Sequence, residues 1–176
     1  MSLRRSLLLA GLLAFASSPA LWAVTLPLDL KSWTLPEWNT TASVVEGSQP
    51  DRKAISVKTK QAEWSQQIQL VLLYPQDIAK VEFTGSMKTE GVKGGANAYE
   101  KARAQIVFLD ADGNRNGPWP GTTDRDGTTD WAPFSQTHPA PAGTRAVRVM
   151  LGLYLATGRA WYENLSVKAY DAAGQV

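Results

Sequence analysis

Apolar and polar residues alternate along several short segments of this chain. In the segment from Trp64 to Leu73, one parity contains Trp64, Ile68, Leu70 and Leu72, and the other contains Ser65, Gln67 and Gln69. Alternation with a period of two residues is typical of a β-strand that buries one of its faces. Alternation or strand-type composition also marks the segments 54–59, 80–90, 101–110, 145–155 and 161–170. The pattern predicts six or more short strands.

Turn-forming residues separate the predicted strands, and no segment has the period of a helix. The turn clusters read YPQD, DADGNRNGPWPG, DRDGTTD and HPAPAG, and residues 34–51 form the longest irregular stretch. We predict turns at DADGN and DRDG, because Asp-Gly after a strand favours a hairpin. Neither segment has the sixth-position glycine and twelfth-position glutamate of an EF-hand calcium loop. Short strands at this spacing predict an all-β fold, an antiparallel sandwich or barrel.

The N-terminal residues have the layout of a secretory signal peptide. Arg4 and Arg5 precede the apolar run LLLAGLLAFA, and the small residues SSPA follow it. We expect residues 1–23 to be removed, with cleavage after Ala20 or after Ala23. The run of about 10 residues is too short to span a bilayer, which needs roughly 20. Residues 24–176 then form a single exported domain, secreted or periplasmic in a bacterium, without a membrane span.

Composition excludes several functional classes. The chain has no cysteine, which excludes a disulfide framework and a lipid-attachment cysteine. Its formal net charge of +2 gives no reason to expect a nucleic-acid partner. Its one histidine, His138, precedes Pro139 in a turn, and the sequence has no nucleophile elbow and no His-x-x-x-His pair. No two carboxylates form a defensible glycosidase pair, so we predict a protein without catalytic activity.

The order of the segments resembles a known family. A strand opening with Trp and Gln leads to one ending in KTEG, then to FLDADGN, to Asp130-Trp131, to a PAGT turn and to a final GRAWYENLSV. From about residue 33 to residue 170 this succession resembles the jelly-roll carbohydrate-binding modules of bacterial glycoside hydrolases, in the galactose-binding-like superfamily. In that family the last strand reads Gly, small, aromatic, aromatic, Asp, Asn or Asp, apolar, Ser or Arg, apolar. The matching residues are Gly158, Ala160, Trp161, Tyr162, Glu163, Asn164, Leu165, Ser166 and Val167.

The resemblance implies a jelly-roll sandwich and a structural calcium ion. In many such modules the acid of the last strand helps to hold calcium, which prefers about 6–8 oxygen ligands. Here that acid is Glu163, where the family usually has Asp, and the candidate partners upstream are Glu37, Glu46 and Asp51. The alternative is that Glu163 and Asn164 form hydrogen bonds with a neighbouring loop or lie at a β-bulge.

The polar parity of the strands supplies candidate ligand-binding residues. If the strands pair as in the family, the following polar side chains share one sheet face: Gln67, Gln69, Glu82, Thr84, Ser86, Arg103, Gln105, Arg148 and Tyr154. Amides, guanidinium groups and aromatic rings suit the hydroxyls and flat C–H faces of sugars. A solvated sheet face is the alternative. A site at the loop edge would instead use Trp119, Asp124 and Trp131.

Two functions fit these observations. The first is an exported, non-catalytic protein that binds a polysaccharide or glycan. The second is a jelly-roll structural or assembly protein that binds another protein of the envelope or secretion machinery, because one fold hosts many functions. A sugar binder should show polar side chains and an accessible ring converging in a groove. A protein binder should show a flatter apolar patch of several hundred Å².

Overall fold

A computed structural model describes residues 22–35, 41–63 and 65–173 of the chain. Within them lie a short 3-10 turn, Leu30–Ser32, and ten β-strands. The strands are β1 (Trp22–Thr25), β2 (Ala42–Glu46), β3 (Lys53–Thr59), β4 (Gln66–Leu73), β5 (Lys80–Lys93), β6 (Ala102–Leu109), β7 (Thr123–Arg125), β8 (Gly127–Pro139), β9 (Ala146–Leu153) and β10 (Thr157–Tyr170). In this part of the chain no helix is long and apolar enough to cross a membrane.

The strands form two antiparallel sheets that pack as a β-sandwich. The larger sheet has the order β2-β3-β10-β5-β8, with β1 paired to the C-terminal half of β10. The smaller sheet has the order β4-β9-β6-β7. The sequential pairs β2–β3 and β6–β7 each lie within one sheet, whereas the chain changes sheet at each of the other steps from β3 onwards, and the long β10 lies in the middle of the larger sheet. The predicted all-β antiparallel sandwich is confirmed.

The core lies between the sheets and is formed by the inward parity of both. Phe83 and Tyr162 from the larger sheet and Ile106 and Leu151 from the smaller one are almost fully buried. Phe83 meets Phe134 edge to face, with ring centroids 5.1 Å apart. Removing such side chains from water contributes about 1.5–3 kcal/mol each, so the alternation of the sequence is also the main source of stability.

All six predicted strands are present, but four further strands were missed, β1, β2 and β8 of the larger sheet and β7 of the smaller one. β2 lies inside residues 34–51, which we predicted to be irregular, and β8 lies in a region predicted as turns. Both are edge strands, where a regular apolar alternation is not required. β8 also contains Pro133, which cannot donate to a ladder and is tolerated at an edge.

One of the two Asp-Gly turns was also predicted wrongly. The DADGN turn is present, because the Asp110 carboxylate accepts the N–H groups of Asp112 and Asn114 at 3.0 and 2.9 Å. DRDG is not a hairpin. At Asp126 the chain passes from β7 in the smaller sheet to β8 in the larger sheet, and Gly127 takes the left-handed φ of 65°.

The predicted signal peptide falls almost wholly outside the described residues, as does Trp64. Strand β1 begins at Trp22 and pairs with β10, Trp22 opposite Ala169 and Thr25 opposite Ser166. Cleavage after Ala20 would leave β1 whole, whereas cleavage after Ala23 would remove half of it. The position of the cut stays a prediction.

Candidate functional site

The outer face of the smaller sheet carries the polar residues of β4, β6 and β9. The strand register aligns Gln67, Gly152, Arg103 and Asp124 in one row across the sheet. The next row contains Gln69, Met150 and Gln105. Arg148 follows in the row after that. The sequence parity therefore placed these side chains on one face correctly.

A cleft of about 360 Å³ lies on this face. It is lined by Tyr99, Arg103, Gln105, Trp119, Thr122, Met150 and Tyr154. Sequence reasoning treated the sheet face and the loop edge as alternative sites. The structure joins them, because Trp119 from the loop and Gln105 from the strand line the same cleft.

The loop between β6 and β7 brings Trp119 over the sheet. After the DADGN turn, the Asn116 N–H donates to the Phe108 carbonyl over 2.8 Å. The Asn116 side-chain amide donates to the Ala142 carbonyl and the Thr144 hydroxyl, each over 3.0 Å. The ring of Trp119 is 59% exposed, and the Arg115 guanidinium lies 5.0 Å from a ring centroid of that side chain. The loop thus presents a wide aromatic surface to solvent.

Arg103 is held rigidly on the opposite wall of the cleft. Its Nε donates to Asp124 Oδ1 over 2.9 Å, and its Nη2 donates to the Thr122 hydroxyl over 3.0 Å. Its guanidinium also lies 5.4 Å from the ring centroid of Tyr154, which packs edge to face against Tyr99. A guanidinium has five N–H groups, so donors are left over for a ligand.

The floor of the cleft contains a buried amide whose hydrogen bonding is incomplete. Gln105 is 2% exposed, and its Nε2 donates to Met150 Sδ over 3.3 Å. Its Oε1 is buried without a partner, as is Nε2 of Gln67 on the same face. Such an atom costs about 1–3 kcal/mol when it is left unpaired. The outer face therefore carries an unpaired acceptor on β6 and an unpaired donor on β4, with β9 between the two strands.

Tyr162 supports the cleft from the core side. Its hydroxyl accepts the Gly152 N–H over 3.1 Å and lies 3.0 Å from the carbonyl oxygens of Gly152 and Arg103, to which it donates. Burial raises the pKa of this hydroxyl, so it stays protonated. Gly152 has a φ of 146°, and a side chain there would meet the Gln66 carbonyl oxygen. Sequence reasoning matched Tyr162 to a family position but missed this role.

The fold resembles that of several solved binding modules. No family model matches the sequence, and a comparison with curated proteins finds no match. The CBM22-1 xylan-binding domain of Paenibacillus barcinonensis Xyn10C superposes with a TM-score of 0.57 at 13% identity, over 89% of this chain and 99% of that one. The xylan-binding module CBM15 superposes with a TM-score of 0.52 at 11% identity, over 86% of this chain and 99% of that one. The fold is that of a jelly-roll carbohydrate-binding module.

A phage protein shares the same fold. The enzymatically active domain of tailspike protein 4 from bacteriophage CBA120 superposes with a TM-score of 0.61 at 12% identity. The match covers 80% of this chain but only 20% of the tailspike chain. The jelly-roll fold of the carbohydrate-binding modules therefore also occurs within much longer proteins.

Five predicted ligand residues lie outside the cleft lining. Gln67, Gln69 and Arg148 share its sheet face, whereas Glu82 and Trp131 lie on the larger sheet. Glu82, Thr84 and Ser86 belong to β5 and hence to the larger sheet, so their predicted place on the same sheet face as Arg103 is wrong. Parity orders side chains within one sheet but does not say which sheet a strand joins. Lys80 and Tyr170 donate to the Glu82 carboxylate over 3.1 and 2.9 Å, and these hydrogen bonds lower its pKa. Trp131 lies in β8 of the larger sheet, also outside the cleft lining.

The acid of the last strand fastens the turn between β2 and β3. Glu163 is 2% exposed, and its carboxylate accepts the Ser48 N–H over 2.8 Å and the Ser48 hydroxyl over 2.5 Å. Arg52 Nη1 lies 3.9 Å away. Asn164 has a φ of 53° where the register of β10 shifts, which is a β-bulge. The alternative prediction for Glu163 and Asn164 was hydrogen bonding to a neighbouring loop or a place at a β-bulge. The structure shows both.

These contacts do not fit a calcium site. Hydrogen-bond donors surround the Glu163 carboxylate, whereas calcium requires oxygen ligands. Glu46 is exposed and forms an ion pair with Lys53, Asp51 is exposed in the turn, and Glu37 lies outside the described residues. Among the described residues no three His, Cys, Asp or Glu side chains could hold a metal together. Calcium stays an untested prediction.

Proposed function

We propose that this protein is an exported, non-catalytic carbohydrate-binding protein whose cleft binds a segment of polysaccharide. The observation that carries the proposal is the pairing of two features in one cleft. The exposed ring of Trp119 and the buried Gln105, whose Oε1 has no hydrogen-bond partner, line the same cleft. An aromatic surface over unsatisfied polar atoms suits a sugar ring, which is apolar on its faces and polar at its rim.

Each wall of the cleft supplies one part of sugar recognition. The Trp119 ring stacks on the C–H face of a sugar, and the Met150 side chain adds apolar surface below it. Gln105 Oε1 accepts a hydrogen bond from a sugar hydroxyl, which removes the cost of an unpaired buried atom. The remaining N–H groups of Arg103 donate to ring or hydroxyl oxygens, with their direction fixed by Asp124.

The cleft lining supports a role in binding without catalysis. A glycosidase of the common type needs two carboxylates on either side of the scissile bond. The described residues that line this cleft include no carboxylate, and the neighbouring Asp124 is engaged by Arg103. Two of the similar solved structures are named as xylan-binding modules. The signal-peptide layout of the N-terminus supports export.

The protein-assembly alternative has weaker support. Among the described residues, Tyr99 and Trp119 are large apolar side chains that stand exposed in the cleft itself. The others are Val71 and Leu73 on β4 and Val44 on the other sheet. Two neighbouring aliphatic side chains fall far short of the area that a stable protein interface buries, about 800 Å² per partner.

The test is a binding screen of the purified protein against a panel of polysaccharides that includes xylan. We expect specific binding to one polysaccharide class. Gln105→Met keeps the volume of the side chain but removes the free acceptor, and it should weaken binding about tenfold. Gln49→Ala, in the exposed turn before β3, is the control and should bind like the wild type. A folded protein that binds no glycan would refute the proposal and favour the assembly alternative.

A further inference from the structure

A second cavity, of about 660 Å³, lies at one end of the larger sheet. It is formed where the end of β3, the distal part of β5 and the start of β10 meet. Its lining consists of Thr41, Lys58, Thr59, Lys60, Glu90, Gly91, Lys93, Thr157, Gly158 and Arg159. We call it the basic pocket. It belongs to the opposite sheet from the cleft and shares no lining residue with it.

The basic pocket concentrates positive charge without balancing it. Its lining contains four cations and one acid, Glu90, in a chain whose formal net charge is only +2. Within the described part of the chain, Lys58, Lys60 and Lys93 form no salt bridge. Like charges that share a concave surface repel each other and raise the local concentration of anions. The pocket therefore favours a negatively charged occupant.

Among the four cations of the basic pocket, Arg159 is the one whose side chain is already held in place by other residues. Its Nε donates to the buried Ser56 hydroxyl over 2.8 Å, and its guanidinium lies 4.3 Å from the ring centroid of Trp161. The remaining N–H groups form the planar fork that binds a carboxylate or a sulfate through two hydrogen bonds. The side chain loses little additional freedom when an anion binds, because two contacts already hold it.

A glycine gives the pocket its shape. Gly158 has a φ of 113°, and a side chain there would lie 2.7 Å from the Gly91 carbonyl oxygen and from Val92 Cα. Only glycine permits this close approach of β10 to β5. The backbones of β10 and β5 therefore lie directly against each other at Gly158 and Gly91, which both line the pocket.

The uncharged lining residues indicate the class of anion. Three threonines contribute hydroxyl groups, which suit sugar hydroxyls, and the described residues that line the pocket include no aromatic side chain. Proteins that bind single-stranded nucleic acid combine a basic groove with aromatic rings on which bases stack. We propose that the basic pocket binds a segment of an acidic polysaccharide, whose carboxylate or sulfate groups lie against Arg159 and the three lysines. This second site does not depend on the cleft.

The experiment measures binding of the full chain to polygalacturonate, dextran sulfate and neutral dextran at low and moderate salt. The variant K58Q/K60Q/K93Q removes three charges from the pocket. The matched control K31Q/K53Q/K101Q removes three charges elsewhere. We expect the wild type to bind an anionic polymer, the pocket variant to bind about tenfold more weakly and the control to change by about twofold or less. Tighter binding of polygalacturonate or of dextran sulfate identifies carboxylate or sulfate as the preferred group.

Two further variants sharpen the test. Glu90→Gln removes the one acid among the described lining residues and should strengthen binding by about two- to fivefold. Gln105→Met alters only the cleft and should leave binding of the anionic polymer unchanged, which separates this proposal from the proposed function. Equal losses in the pocket and control variants would overturn the proposal. So would equal binding of neutral dextran, tighter binding of a thymidine oligonucleotide, or no binding of either anionic polymer.

Discussion

At the scale of single residues, the acid in the last strand is explained by a turn more than a hundred residues away. Glu163 would be costly to bury alone, but the backbone and hydroxyl of Ser48 both donate to it. Gly47 allows this approach, because a side chain there would lie 2.4 Å from Glu163 Oε2. The carboxylate therefore ties the β2–β3 turn to the middle of the larger sheet.

Replacing Ser48 with Ala should destabilise the fold. The change removes the hydroxyl donor but keeps the backbone N–H, so a buried carboxylate oxygen loses one of its partners. We expect the free energy of unfolding, measured in urea, to fall by about 1–3 kcal/mol. Ser135→Ala, on the exposed side of β8, is the matched control and should change it by about 0.5 kcal/mol or less. Equal effects of the two changes would show that the contact with Glu163 does not stabilise the fold.

Removing divalent metal tests the calcium prediction directly. Because hydrogen-bond donors already satisfy Glu163, the contacts seen here predict the same melting temperature with and without a chelator. Added calcium should not raise it. A clear rise with calcium that is lost in Glu163→Gln would establish the metal site that the family resemblance implies.

The single histidine gives the fold a pH dependence. Burial lowers the pKa of the His138 imidazole below its ordinary 6.5, and a hydrogen bond with the Gly121 backbone partly offsets this. The unfolded chain then binds a proton at a higher pH than the folded chain does. The free energy of unfolding should therefore fall as the pH drops from about 6.5 towards 5. His138→Gln should flatten this part of the profile, and an unchanged slope would contradict the assignment to His138.

At the scale of strands and sheets, sequence reasoning succeeded where the physical signal is local. Parity correctly placed Gln67, Arg103 and Gln105 on one face, because neighbouring residues of a strand point to opposite sides. It misplaced Glu82, because the choice of sheet depends on long-range pairing that no local pattern records. It left Trp119 undecided for a similar reason, since the path of its loop is set by Asn116 and its distant partners near residue 143.

The hydroxyl of Tyr162 links the two sheets beneath the cleft. Tyr162→Phe keeps the ring in the core but leaves the backbone of Gly152 and Arg103 without this partner. We expect a loss of about 1–3 kcal/mol in unfolding free energy and weaker glycan binding, because the Arg103 strand is no longer fixed. Tyr99→Phe, whose side chain is exposed, should leave stability unchanged. Wild-type stability of Tyr162→Phe, measured by denaturant titration, would contradict the role of this hydroxyl.

At the scale of the whole molecule, the sandwich carries the cleft and the basic pocket on different sheets. The tight core between them separates the two sites, and no lining residue is common to both. If both proposals hold, the protein can bind one polysaccharide segment in the cleft and a second, acidic segment in the basic pocket at the same time. The likeness to xylan-binding modules fixes the fold but not the sugar, because identities of 13% and 11% leave the residues of the site free to differ.

The most direct test of the cleft is a calorimetric titration with the tightest-binding oligosaccharide from the polysaccharide panel. Trp119→Ala removes the ring that lines the cleft, whereas Trp131→Ala removes a ring that was also a candidate from the sequence but that lies on the other sheet. We predict that Trp119→Ala lowers the association constant about tenfold and that Trp131→Ala changes it by about twofold or less. Unchanged binding in Trp119→Ala, or an equal loss in Trp131→Ala, would contradict a sugar site in this cleft.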